Sequence, residues 1–196
     1  MTGKGEITRR KILEIATEIV NRKGFGATTI QDIISATGMQ KGGIYFHFPD
    51  KDALGLAILE KAREDFMLFL ATALSGDSPG ACLENFFRQA VEKHLAAGFI
   101  GGCIFGNTAI EFSDTDSRFA AVIERVFDDW IEMIRRTVSA AQDAGEVRTD
   151  IPAKELALHI VAAIEGGIML SRLKKSEESM KKCLYTVRMF LQMQTV

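Results

Sequence analysis

Four side chains able to hydrogen-bond phosphate oxygens, Lys41, Tyr45, His47 and Lys51, fall within eleven residues. Lys41 and Gln31 are also long enough to reach base edges. The segment around them reads MQKGGIYFHFPDK and carries two adjacent glycines, Gly42 and Gly43, in what is otherwise a short helical pattern. A glycine costs about 1 kcal/mol against alanine in a helix interior. One use offsets that cost: a helix start without side chains lets the backbone come close to a duplex, where helix N-termini favour phosphate. Ile44 and Phe48, four apart, anchor the helix inward and leave Tyr45 and His47 pointing elsewhere. Taken alone, the string fits a core-packing helix after a plain loop just as well.

The preceding stretch FGATTIQDIISATG favours the DNA-facing reading, because spacing, capping and turn all agree. Thr29 stands as an N-cap with Asp32 three residues on, as in a capping box, Ile30, Ile33 and Ile34 share a face, and Gly38 ends the helix. Two short helices joined by the tight turn ATGMQKG make a helix-turn-helix, whose second helix can enter the major groove. Pro49 ends that second helix and Asp50 caps the next. The rest of the chain is helical by period, and its 196 residues contain only three prolines. Residues 1–52 carry a net charge of +2 on a chain whose overall charge is −2, the sign expected of an N-terminus facing nucleic acid.

Over residues 8–55 the sequence resembles the DNA-binding domain of the TetR/AcrR family of transcriptional regulators. GFGATTIQDIISATGMQKGGIYFHFPDK follows that family's pattern of G-x-x-x-T-T, then A-x-x-A-G-V-S, then K-G-x-L-Y-x-H-F-x-x-K. The resemblance implies an all-α fold of about nine helices. Residues 1–52 would form a three-helix DNA-binding domain, and residues 53–196 a larger helical domain for ligand binding and dimerisation. It implies phosphate contacts for Thr29, Tyr45, His47 and Lys51, and major-groove positions for Gln31, Lys41, Gly42, Gly43 and Phe46. Gln40 departs from the pattern, where Ser or Asn is commoner; it is a poorer cap, or itself reads DNA. A second departure is TRRK, three cations read into the first turn of helix one against the macrodipole.

The expected partners are double-stranded operator DNA, an unidentified small-molecule effector and a second copy of the chain. For the effector, the large side chains Phe87, Val91, His94, Phe99, Cys103, Phe105, Trp130, Met133 and Met169 suggest a mostly apolar cavity. His94 is a ligand contact or a satisfied buried histidine; Cys103 is a packed thiol or a redox sensor. The segment GGCIFGNTAIEF resembles the G-C-x-x-G-N-x-A-x-E stretch of one broad group in the family and names no ligand. For the dimer, Met180, Leu184, Val187 and Leu191 repeat on one face, and Gly166-Gly167 suggests either a kink or close helix approach.

Three dispersed cysteines without a C-x-x-C, and three scattered histidines, argue against a disulfide framework or a metal site and fit a reducing cytoplasm. No run of 18 apolar residues and no apolar leader core is present, so neither a membrane span nor a signal peptide is expected. Nucleophile elbows and phosphate-binding glycine loops are missing, so no catalytic residue and no cofactor is expected. The competing reading is a helical enzyme or interaction protein that does not bind DNA.

Overall fold

The computed structural model describes residues 3–193, among which there are nine α-helices and no strand: α1 (Lys4–Lys23), α2 (Ile30–Thr37), α3 (Lys41–His47), α4 (Lys51–Ala73), α5 (Pro79–Ala96), α6 (Ile104–Phe112), α7 (Ser117–Asp143), α8 (Ala153–Lys174) and α9 (Glu178–Leu191). Local chemistry explains most boundaries. At α2 both halves of the capping box form: the Asp32 amide donates to Thr29 Oγ1 at 3.1 Å and the Thr29 amide to Asp32 Oδ2 at 2.8 Å. Gly38 ends α2 in the left-handed region at φ 70°. The Asp50 carboxylate accepts from the Ala53 amide at 2.7 Å and opens α4. Ser78 caps α5, with Pro79 at its first turn.

α1 begins earlier than TRRK suggested. Lys4 is already helical, so Thr8 to Lys11 lie beyond the first turn, which holds Glu6, while Arg22 and Lys23 occupy the last. The expected conflict with the macrodipole therefore does not arise.

The chain forms two compact units. The first takes residues up to Asp65 together with Ile104–Glu124; the second takes Phe66–Cys103 and residues from Arg125 onward. A division after residue 52 differs from this, because it falls inside α4 and assigns α6 and the start of α7 elsewhere. The physical reason is aromatic. Phe25, in the α1–α2 connection, packs at 5.2 Å from Phe112 and 5.1 Å from Phe119, whose rings stack on each other at 4.4 Å.

In the second unit α5, α7, α8 and α9 bury Phe86, Phe87, Trp130, Ile134, Ile160, Ile164, Met180 and Leu184 in one cluster. α8 is long and apolar enough to cross a membrane by length and composition, but Leu156, Ile160, Ile164, Gly167, Ile168 and Ser171 form its buried face. The α9 stripe of Met180, Leu184, Val187 and Leu191 is also buried within the protomer. That corrects its expected place at a dimer interface: the period was read correctly, but this face covers the chain's own core. Gly167 serves close helix approach, again within the protomer. A Cβ there would stand 3.3 Å from the Met180 Cα. Gly166 has open space beside it.

Candidate nucleic-acid interface

α3 is seated by Ile44 and Phe48, both buried, with the Arg9 guanidinium 5.2 Å over the Phe48 ring. Its other face is open. Lys41, Gly42, Tyr45 and Phe46 are exposed, and Phe46 is 83% accessible. Lys41 Nζ lies 5.8 Å from the Tyr45 ring centre. His47 is half-buried, edge-on to Phe46. Gln40 caps α3 through its backbone only, and its side chain makes no cap bond. Gln31 is exposed on α2, its amide 3.4 Å from Ser35 Oγ. Thr29 is exposed as well, with its hydroxyl held by Asp32. The Lys23 ammonium and the Thr29 donors together hold the Asp32 carboxyl down at about 2.

The two glycines are not demanded from inside. Neither has a positive φ. A Cβ on Gly42 would meet nothing within 4 Å, and one on Gly43 would touch only the end of the Met39 side chain. The fold's own packing therefore does not require glycine at position 42.

Lys51 has partners inside the chain that its expected phosphate contact did not include. Its Nζ donates to the Gly26 carbonyl at 3.3 Å and lies 4.7 Å over the Phe25 ring, so it is turned onto the α1–α2 connection. The same connection shows what the sequence reading missed. Glu111, on α6, accepts hydrogen bonds from the backbone amides of Phe25 at 3.1 Å and Gly26 at 2.8 Å. Eighty-six and 85 residues separate the partners, so no spacing signal links them; the stretch GGCIFGNTAIEF marks Glu111 as the last position of a family-like pattern but not what it bonds.

In the second unit, Phe87, Val91, Phe99 and Trp130 are buried, and His94, Cys103 and Met133 are half-buried. Two expected cavity residues fall elsewhere: Phe105 belongs to the first unit, and Met169 is 61% exposed on α8. A groove of ≈ 890 Å³ between α5 and α9 includes Phe87 and Val91 but none of the others. Trp130 Nε1 and Glu165 Oε1 are buried without hydrogen-bond partners. Desolvation raises the Glu165 pKa, against the lowering effect of a hydrogen bond from Cys103. Among the described residues no group of His, Cys, Asp or Glu is arranged to hold a metal.

Burial brings the His94 pKa down from 6.5 to about 4, with the Lys93 charge adding to it. The unfolded chain therefore takes the proton first. Stability is full above pH 6.5 and falls as pH drops towards 4, by about 3 kcal/mol in all. Denaturant titrations should show that His94→Gln flattens this acid limb; an unchanged slope would contradict the assignment.

Comparison with known proteins decides what this arrangement belongs to. Residues 12–58 match the family described as bacterial regulatory proteins, tetR family, and residues 80–187 match the tetracyclin repressor-like C-terminal domain. The chain belongs to the TetR family. The HTH-type transcriptional repressor DhaR of Mycobacterium sp. (strain GP1) is 25% identical over 181 residues, 91% of this chain and 89% of that one. The crystal structure of a TetR transcriptional regulator from Chloroflexus aurantiacus J-10-FL superposes with a TM-score of 0.87 at 32% identity, covering 97% of each chain. The regulatory protein TetR from Rhodobacter sphaeroides superposes with a TM-score of 0.89 at 26% identity, covering 94% of this chain and 98% of that one. As a TetR-family member the chain is a DNA-binding transcriptional regulator and not an enzyme. Its helix-turn-helix is α2 and α3.

Proposed function

We propose that this TetR-family regulator is a cytoplasmic repressor that binds operator DNA as a homodimer and leaves it when a small apolar or amphipathic ligand enters the second unit. The observation that carries the reading is the outward row of Lys41, Tyr45 and Phe46 beside Gly42. It puts a cation, a phenol and an apolar ring where a groove would meet a bare backbone. Tyr45 and His47 hold phosphates, Thr29 does so near the start of α2, and Lys41, Gln31 and Gln40 meet base edges. Phe46 suits a thymine methyl.

Repression is supported by the function named for DhaR. Dimerisation is supported by an apolar stripe left uncovered on α8 and α9: Leu158, Met169 and Leu173, with Tyr185 and Met189. Such a patch marks an association surface, and two copies around a two-fold axis would present two α3 helices to a pseudo-palindrome. For the ligand, the support is a large apolar cluster that includes Trp130, whose Nε1 is buried without a partner, and, in the same unit, the buried and unpaired Glu165 Oε1. A mostly apolar molecule with one or two polar atoms matches that supply. Linkage makes the coupling reciprocal: ligand weakens DNA binding by the factor by which DNA weakens ligand binding, about 5- to 150-fold in typical cases.

The test is fluorescence anisotropy on duplexes enriched from a random library. Tyr45→Phe should weaken binding to enriched and random duplexes alike, because phosphate contacts carry no sequence information. Lys41→Ala should change which sequences are preferred. If both variants bind like the parent protein, α3 is docked wrongly.

A further inference from the structure

We infer that Glu111 is a positioning residue for DNA recognition: its carboxylate, gripping the α1–α2 connection, sets the orientation in which α2 and α3 are presented. The inference rests on the DNA-bound homodimer proposed above.

The grip has three parts, all in the first unit. Glu111 Oε1 accepts from the Phe25 amide at 3.1 Å and Oε2 from the Gly26 amide at 2.8 Å. A carboxylate bonded to two successive peptide units fixes their plane as well as their position, and charge-assisted bonds of this kind are the stronger ones. The sequence makes room for it. Gly24 has φ 84°, and a Cβ there would stand 2.6 Å from Oε1. The second part is the Phe25 ring, buried against Phe112 and Phe119, with Gly55 beneath it where any Cβ would strike the ring. The third is Lys51, which closes over that ring and bonds the Gly26 carbonyl.

Two anchors that are not collinear, one on the backbone and one on the ring, resist rotation about either. What they hold leads directly into the reading head. Thr28 Oγ1 donates to the Gly24 carbonyl at 2.7 Å, and Thr29, the next residue, is the N-cap of α2. A shift of α6 therefore carries the start of α2 with it, and α3 follows through the tight turn. In a dimer this orientation sets the separation and relative twist of the two α3 helices. A half-site spacing is matched only while that geometry stays narrow.

Glu111→Gln keeps the shape and removes the charge. The measurement is anisotropy with the full chain on enriched duplexes whose half-site spacing is varied one base pair at a time. The parent protein should bind best at one spacing and fall away on either side. The Gln variant should lose about tenfold at the best spacing, the size of one charge-assisted hydrogen bond, and lose much less on moving off it. The profile flattens, which weaker folding alone does not produce, since that lowers every point together. Glu111→Asp, charged but one methylene short, should fall between. A loss equal at all spacings, no loss at all, or a parent protein indifferent to spacing would overturn the inference. So would helix content and DNA binding vanishing together in both variants, since that makes Glu111 only a folding group. A parent protein that binds no duplex sinks the proposed function instead.

Discussion

Met169→Glu combined with Leu173→Glu is expected to turn the protein into a monomer by light scattering and to weaken DNA binding by about 10²- to 10⁴-fold, the range lost when two linked sites become one. The side chains replaced are 61% and 78% exposed, so the change removes little internal packing and helix content should stay unchanged. What it adds is two carboxylates to an apolar stripe that includes Leu158 on the same helix and Tyr185 and Met189 on α9. Closing that stripe against a second copy would bury the new charges without partners, at a cost of several kcal/mol each. The contrasting substitution is Leu184→Glu. Leu184 is 1% exposed within the protomer, so a charge there should unfold the second unit rather than separate two folded copies. A dimer that survives the double substitution with DNA affinity intact would place the interface elsewhere.

This pair of substitutions also shows where sequence reasoning reached its limit. Along α9 the repeat of Met180, Leu184, Val187 and Leu191 was legible from period alone, and it does mark one face. Period does not say what covers a face. α8 is apolar nearly all round, so its buried side at Ile160, Ile164 and Ile168 and its open side at Met169 and Leu173 look alike in sequence. The helix-turn-helix was legible in detail because its signals are local: a cap at Thr29 with Asp32, a left-handed glycine at Gly38, and Asp50 opening α4. Glu111 closes the family-like stretch in GGCIFGNTAIEF, but its partners were not legible there, since its bonds to Phe25 and Gly26 depend on how distant helices meet. At Lys51 the residue type, which suits phosphate, was legible, and its bond to the Gly26 carbonyl was not.

The central claim is that the outward face of α3 meets DNA, and Gly42→Ala tests it through two effects of opposite sign. Nothing lies within 4 Å of the added Cβ, and the backbone there has no positive φ. Judged by the folded chain alone, alanine is the better residue: it should leave stability unchanged or raise it by up to about 1 kcal/mol. Judged by the complex, the methyl stands where the helix start must approach a duplex. Overpacking there should cost about 1–3 kcal/mol, or roughly 5- to 150-fold in affinity. The decisive measurement is therefore DNA affinity by anisotropy on a variant whose unfolding free energy is determined in parallel. Our account predicts affinity reduced by that factor in a protein at least as stable as its parent. Affinity equal to the parent's in a folded Gly42→Ala variant would contradict it.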